Sequence, residues 1–167
     1  MLKKSEVVFL CAPVNSGKTA FIQRLLKELG TKKIKTGGVY AVKKFEGLRR
    51  VYTVFDILSG KNRPLLQIDG KTMTISRPGF AFASKAVLKA KNCKVAIIDE
   101  FGPLEVSGRG YARVVKKITW ERRNKIFIVI RKGLAARAAA SLKLGTYRVL
   151  TAKKTNYKKV LSLALSK

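Results

Sequence analysis

The feature that most constrains this chain is a short apolar run followed at once by a glycine-containing loop and an amphipathic segment. Residues 7–11 are continuously apolar, which is typical of a strand buried on both faces of a parallel sheet. They lead directly into residues 12–19, APVNSGKT. The apolar residues that follow recur at helical spacing: Phe21, Ile22, Leu25, Leu26 and Leu29. Gly30 is the expected end of this helix, so the order strand, loop, helix is predicted here.

Residues 12–19 fit the pattern of a phosphate-binding loop, with Ala12 where the strict pattern has glycine. Backbone N–H groups of such a loop surround an anion, and the following helix directs its positive N-terminal end at it. Gly17 avoids a collision with phosphate, Lys18 is expected to reach the outer phosphates, and the Thr19 hydroxyl is expected to bind Mg²⁺. The predicted nucleotide-binding residues are Ala12, Pro13, Val14, Asn15, Ser16, Gly17, Lys18, Thr19 and Ala20.

A cluster of acids follows a second apolar run, residues 95–98. Only 9 of the 167 residues are Asp or Glu, and Asp99, Glu100 and Glu105 fall close together. A magnesium nucleotide needs a carboxylate at the end of a neighbouring strand, so Asp99 is predicted to bind Mg²⁺ with Thr19. Glu100 is placed to orient or deprotonate water, which makes Lys18 and Glu100 the predicted catalytic residues. For Glu105, contact with metal, water or an arginine and a purely structural role both stay open.

The rest of the chain alternates strand and helix signals. Runs rich in β-formers at 39–42, 51–57 and 65–68, extended in one interpretation by 72–75, predict an antiparallel hairpin or meander. Further strands are expected at 126–130 and 147–150, and helices at 80–89, 111–122, 134–142 and 160–165. We therefore expect one α/β domain over residues 1–167: a three-layer P-loop NTPase fold with a mainly parallel central sheet and an inserted antiparallel β-hairpin at about 38–76.

Charge is the most unusual property of the composition. Lys and Arg number 37 and the formal net charge is +28, which attracts polyanions. The basic pairs are spread along the chain, and no zinc finger, aromatic RNA-binding motif or basic heptad helix accompanies them. Nonspecific nucleic-acid binding through a basic surface therefore stays an alternative. Four arginines are candidates to neutralise charge on a transferred phosphoryl group, each with a plain surface role as the alternative: Arg77, Arg109, Arg113 and Arg131.

Other counts exclude whole classes of chemistry. The chain has no histidine, which excludes histidine bases and ligands. Cys11 and Cys93 lack metal-site spacing and are expected to be buried thiols. No apolar run reaches the ~20 residues that cross a bilayer, so a cytoplasmic protein without membrane contact is expected, with a monomer favoured.

Together these segments resemble the THEP1-type nucleoside-triphosphatases. The resemblance rests on residues 12–19, on Gly37-Gly38-Val39-Tyr40 before a strand reading YTVFD at 52–56, and on IDEFGPLE at 98–105. It implies a RecA-like core and Mg²⁺-dependent hydrolysis of the terminal phosphate of ATP, GTP and other nucleoside triphosphates, with loose base selectivity. One position departs from the family, which tends to carry Asn-Arg where this chain has Asn156 followed by Tyr157.

Two other functions share the same loop. A nucleoside or nucleotide kinase would transfer the phosphate to a hydroxyl, usually with an arginine-rich lid, and residues 134–142 contain only Arg137. An RNA- or DNA-stimulated ATPase would use the basic surface to bind a polymer. Nucleotide hydrolysis with water as acceptor is the leading hypothesis, because Glu100 directly follows the predicted metal ligand.

Overall fold

The computed structural model describes residues 5–13, 16–121 and 124–166. Within them the strands are β1 (Glu6–Ala12), β2 (Thr36–Glu46), β3 (Arg49–Asp56), β4 (Asn62–Asp69), β5 (Thr72–Ile75), β6 (Val95–Ile98), β7 (Lys125–Arg131) and β8 (Arg148–Thr151). The helices are α1 (Lys18–Thr31), α2 (Arg77–Lys89), α3 (Pro103–Val106), α4 (Ala112–Glu121), α5 (Ala135–Leu142) and α6 (Tyr157–Leu165), with 3₁₀ turns at Ala90–Asn92 and Lys154–Asn156.

The strands form one sheet in the order β5-β4-β3-β2-β6-β7-β1-β8. Strands β2, β6, β7, β1 and β8 run parallel to one another. Strands β3, β4 and β5 continue the sheet from β2, and each of them is antiparallel to the strand before it. The predicted α/β fold with a mainly parallel sheet and an antiparallel part is thus confirmed. The run at 72–75 does extend the meander.

Strand β2 joins the two parts of the sheet. Its first residues, Thr36–Val39, pair with β6 in parallel, and Val39–Glu46 pairs with β3 antiparallel. The sequence predicted only residues 39–42 as strand, because the glycine pair before Val39 disfavours a strand. The antiparallel part is therefore continuous with the parallel sheet and shares a strand with it.

The glycine pair in β2 allows this close packing. A Cβ atom on Gly38, whose φ is +107°, would lie 2.0 Å from the carbonyl oxygen of Ile97 in β6. A Cβ atom on Gly37 would lie 2.8 Å from Sγ of Cys93. Only residues without side chains leave β2 this close to its parallel neighbour.

Helices cover both faces of the central strands. On one face Phe9 and Ile128 pack with residues of α2, α4 and α5. On the other, Leu10 and Val129 pack with α1 and α6. Alternate residues of β1 and β7 are thus buried on opposite faces, which explains why both strands are continuously apolar. Cys11 and Cys93 are free and buried as predicted, and burial raises the pKa of both thiols.

Several element boundaries differ from the sequence expectations. Helix α1 continues through Gly30 to Thr31, and the left-handed residue after it is Lys33, with φ +56°. Helix α2 begins at Arg77, where the Ser76 hydroxyl accepts a hydrogen bond from the Gly79 N–H at 3.1 Å. Helix α3 was not predicted. The helix expected at 111–122 is α4, and Arg122 lies outside the described residues. Among the described residues, no helix is long and apolar enough to cross a membrane.

Candidate nucleotide and metal site

The candidate site lies at the edge of the sheet where β1, β6 and β7 end. These strands are parallel, so their carboxyl ends meet at one edge, where ligands of open α/β sheets bind. Ala12 at the end of β1 is paired with Arg131 at the end of β7. The predicted loop after β1 and the acidic residues after β6 therefore belong to the same edge. Val14 and Asn15 of the loop lie outside the described residues.

The first turn of α1 places backbone N–H groups at this edge. Gly17 precedes α1 with φ +76°, and among the described residues no side chain caps the helix N-terminus. Burial of the apolar stripe Phe21, Ile22, Leu25 and Leu29 fixes how α1 packs on the sheet. An uncapped helix N-terminus that follows a glycine is suited to bind an anion.

Lys18 and Glu100 are in direct contact. Nζ of Lys18 lies 3.0 Å from Oε1 of Glu100, with 16% and 29% of the two side chains exposed. The structure thus brings together the two residues predicted to be catalytic. In this arrangement the Lys18 charge is partly neutralised by Glu100.

The backbone after β6 explains how Glu100 reaches Lys18. The Asp99 N–H still donates to the carbonyl of Val39 in β2, whereas the Phe101 N–H donates to Val129 in β7. Between them Glu100 has φ +61°, a left-handed conformation that is uncommon for a residue with a side chain. Such strain in non-glycine residues is concentrated at functional sites.

Asp99 is buried, with 2% of its surface exposed. Its Oδ1 accepts the Glu100 N–H at 2.9 Å, and its Oδ2 accepts the Ala41 N–H at 3.2 Å. Burial, and then the Glu100 charge, raise the pKa of Asp99 to about 6, although Lys18 opposes the shift. A cation beside this carboxylate would favour its ionised form.

The residue types predicted to bind the metal, Thr19 and Asp99, suit Mg²⁺. The described residues include no group of three or more His, Cys, Asp or Glu side chains that could hold a metal by themselves. Mg²⁺ does not need one, because it commonly takes one or two protein oxygens and completes its shell with substrate phosphates and water. The hydroxyl of Thr19 and the carboxylate of Asp99 are oxygen donors of this kind.

A cavity of about 310 Å³ opens at this edge. Its described lining residues are Ser16, Gly17, Lys18, Thr19, Ala41, Val42, Lys43, Tyr52, Glu100 and Arg131. Of the other predicted binding residues, Ala12 is buried in β1, and Pro13 and Ala20 are exposed outside the lining. Arg131 is the predicted arginine that lines the cavity, whereas Arg77, Arg109 and Arg113 do not.

Four lining residues were missed by sequence reasoning: Ala41, Val42, Lys43 and Tyr52. They lie on β2 and β3, in the antiparallel part of the sheet. Nothing local in the sequence places a hairpin strand beside a loop that precedes it by more than twenty residues. Lys43 pairs with Tyr52 across the hairpin, so a known register would have predicted that these two residues lie side by side.

Two buried groups support the acidic segment from behind. The Tyr111 hydroxyl donates to the carbonyls of Asp99 at 2.8 Å and Glu100 at 3.0 Å. Glu105 is 4% exposed, and its Oε2 accepts the Gly102 N–H at 3.0 Å. Burial raises the pKa of Glu105 to about 7. Of the alternatives left open for Glu105, its contacts support the structural one.

Asn156 and Tyr157, where this chain departs from the family pattern, both make contacts within the fold. The Asn156 side chain donates to the Thr151 carbonyl at 2.9 Å. Tyr157 is buried, packs edge to face on Phe21, and has the Arg24 guanidinium 3.8 Å from its ring centroid. An arginine thus approaches this position from α1 instead of following Asn156 in the chain.

Comparisons with known proteins identify the family and the fold. A family model described as NTPase matches residues 7–162. The nucleoside-triphosphatase THEP1 of Korarchaeum cryptofilum is 31% identical over 130 residues, which are 72% of this chain and 66% of that protein. The match therefore spans slightly less than two thirds of that relative's length.

A solved structure shows the same fold. The crystal structure of THEP1 from the hyperthermophile Aquifex aeolicus matches with a TM-score of 0.64 and 16% identity, over 97% of this chain and 99% of that one. With the family model covering nearly the whole chain, the protein belongs to the NTPase family.

Proposed function

We propose that this protein is a nucleoside-triphosphatase that hydrolyses the terminal phosphate of ATP, GTP and other nucleoside triphosphates with the help of Mg²⁺. One observation carries the proposal: Lys18 and Glu100 meet at 3.0 Å beside a cavity that the uncapped start of α1 also lines. A phosphate-binding lysine and a carboxylate able to direct water are thus at one place. The name of the Korarchaeum relative, a nucleoside-triphosphatase, supports the same activity.

The residues divide the work by their chemistry. Backbone N–H groups at the start of α1 and the Lys18 ammonium bind the phosphates. Thr19 and Asp99 would hold Mg²⁺, which would neutralise charge on the phosphate oxygens. Glu100 orients water for in-line attack and accepts its proton. Because Lys18 pairs with Glu100, phosphate binding to Lys18 also frees the carboxylate for this role.

Arg131 is the further cation of the proposed reaction centre. It ends β7 at the same edge as the loop and lines the cavity with Lys18 and Glu100. A guanidinium at this position stabilises the negative charge that develops on the transferred phosphoryl group. The other three candidate arginines are assigned no part in the reaction.

Loose base selectivity is supported by the cavity lining. Most polar side chains among its described lining residues are cations or hydroxyl groups, which suit phosphate oxygens: Ser16, Lys18, Thr19, Lys43 and Arg131. The contacts of this cavity therefore favour the phosphates, which all nucleoside triphosphates share.

Phosphate release from ATP, GTP, CTP and UTP, with Mg²⁺ and with EDTA, tests the proposal. We expect release from all four with Mg²⁺ and none with EDTA. Lys18→Ala removes the phosphate-binding ammonium and should abolish release, whereas Lys27→Ala, on the exposed side of the same helix, should not change it. Wild-type rates in Lys18→Ala would contradict the proposal, and phosphorylation of an added nucleoside would assign a kinase instead.

A further inference from the structure

The antiparallel part of the sheet has one apolar face that is only partly covered. Residues paired across antiparallel strands project from the same face. The register therefore places one cross-strand row, Phe45, Arg50, Ile68 and Met73, beside a second row, Lys43, Tyr52, Leu66 and Ile75. These eight residues are called the meander face below.

On the opposite face, the outer part of the same strands is polar, whereas Tyr40, Val42 and Phe55 lie on that face closer to the parallel strands. The rows of the outer part contain Lys44, Glu46, Arg49, Gln67, Asp69, Thr72 and Thr74, with Val51 as the apolar exception. An ion pair of 3.7 Å between Arg49 and Asp69 lies there. In a sheet with one covered face, the apolar side is normally the covered one. The meander face therefore has the composition of a surface that something covers.

Helix α2 covers the meander side of the sheet only around Val54 and Leu65. Val54 and Leu65 are 1% and 4% exposed and pack in one cluster with residues of α2. Farther along the strands, Phe45 is 65% exposed, Met73 51% and Ile75 41%. Contiguous exposed apolar residues of this kind mark binding sites.

The charges of the meander face have a single sign. Its charged residues are Lys43 and Arg50, and the nearest acids in sequence, Glu46 and Asp69, are on the opposite face. The Lys43 ammonium lies 5.3 Å from the centroid of the Phe45 ring. Two aromatic rings, Phe45 and Tyr52, thus lie beside two cations on one face of the sheet.

The geometry points to single-stranded nucleic acid as the occupant of the meander face. Unpaired bases stack on exposed aromatic rings, and phosphates contact neighbouring cations. The net charge of +28 adds long-range attraction for such a polyanion. Because Lys43 and Tyr52 also line the nucleotide cavity, the bound strand would lie beside the triphosphate.

Other occupants fit less well. A second copy bound about a two-fold axis would oppose its Lys43 and Arg50 to the same cations of the partner, between two molecules of +28 each. An anionic membrane would satisfy the charge, but the rows are spread over four strands of a sheet and not gathered on an amphipathic helix, the usual element for insertion. Vesicle binding is therefore an outcome of the test.

Binding of fluorescein-labelled oligouridylate and oligodeoxyuridylate of about twelve nucleotides tests the proposal by anisotropy. The measurement is made at about 0.15 M NaCl with the full chain. Phe45→Ala and Arg50→Gln change the meander face. Two variants are controls. Lys44→Gln removes one cation from the opposite face of β2. Val149→Ala truncates a 49% exposed residue of β8, the edge strand farthest from β5.

We expect Phe45→Ala to weaken binding by about fivefold or more, the lower range for loss of one base–aromatic stack. Arg50→Gln should weaken it more than Lys44→Gln, and Val149→Ala should bind as the wild type does. A difference between the two oligonucleotides shows whether RNA or DNA is preferred. No binding, equal effects of Arg50→Gln and Lys44→Gln, or Phe45-dependent binding only to anionic phospholipid vesicles would each overturn the proposal. None of these outcomes depends on hydrolysis.

Discussion

The ammonium group of Lys18 lies 3.0 Å from Oε1 of Glu100, although the two residues are 82 positions apart in the chain. The contact joins the first turn of α1 to the residue after β6. A nucleotide that binds Lys18 through its phosphates has to compete with Glu100 for the ammonium. The pair therefore links nucleotide binding to the release of the proposed water-orienting carboxylate.

Replacing Glu100 by Gln should separate binding from turnover. The amide keeps the size of the side chain but cannot accept a proton from water, and it no longer holds Lys18 by charge. We expect hydrolysis to fall by about 100-fold or more, with nucleotide binding as tight as in the wild type or tighter. Single-turnover phosphate release and equilibrium binding of a fluorescent nucleotide measure the two effects.

Glu121→Gln is a suitable control for this variant. Glu121 is an acid of α4 that forms a 3.6 Å ion pair with Lys117, and it is not among the cavity residues. Its hydrolysis rate should equal that of the wild type. Unchanged turnover in Glu100→Gln would remove Glu100 from the mechanism.

Arg131→Ala should lower turnover more than it lowers affinity. The guanidinium of Arg131 is proposed to act on charge that develops during the reaction, so its loss affects kcat more than KM. We expect kcat to decrease by about tenfold or more. Arg109→Ala is the matched variant, because Arg109 donates to Ser107 at 3.2 Å and does not line the cavity. Equal kinetics for the two variants would refute the role of Arg131.

Local features of the sequence were enough to predict the parallel strands and the helix after the loop. They also predicted that the loop at 12–19 and the acids after Ile98 lie close together. The run at residues 7–11, the amphipathic helix after Gly17 and the acids after Ile98 each carry their own signal. The carboxyl ends of parallel strands meet at one edge, so the convergence of Lys18 and Glu100 followed from those signals. The predicted roles in binding and catalysis remain predictions.

Features that depend on register could not be predicted in this way. Tyr52 lines the cavity because it pairs with Lys43 across the hairpin, and a shift of one residue would turn it to the other face. Tyr111 supports Asp99 from the turn before α4, and no spacing in the sequence indicates that contact. The length of β2 was underestimated because glycine usually disfavours a strand. Gly38 is needed in β2 because any side chain there would collide with the Ile97 carbonyl of β6, and the local sequence does not show this neighbour.

Glu105 should make stability depend on pH near neutrality. Its pKa is raised from 4.5 to about 7, chiefly by burial, so the folded protein holds this proton more tightly than the unfolded chain does. The contribution is complete below pH 4.5 and is lost as the pH rises through about 7. Ionisation of Glu105 thus destabilises the fold, on the order of 3 kcal/mol at alkaline pH.

Glu105→Gln removes that titration and keeps an oxygen able to accept the Gly102 N–H. We expect the thermal midpoint of this variant, relative to the wild type, to rise between pH 5 and pH 8 by several degrees, at about 2–4 °C per kcal/mol. Parallel melting curves of the two proteins across this range cancel the effect of the other charges. A constant difference across that range would show that Glu105 does not titrate there.

Gly38→Ala should be the most destabilising small substitution in β2. The added methyl group would meet the Ile97 carbonyl oxygen at 2.0 Å, and alanine disfavours φ of +107°. Relief requires β2 to move away from β6, which breaks the pairing that holds Asp99 next to Ala41. We expect the free energy of unfolding to fall by an amount on the order of 3 kcal/mol or more.

Gly47→Ala is the control for this variant. At φ +62° with nothing within 4 Å, it carries the backbone strain without the collision and should lose about 1 kcal/mol. Urea unfolding of both variants measures the difference, and equal losses would show that the contact with Ile97 is not what requires glycine.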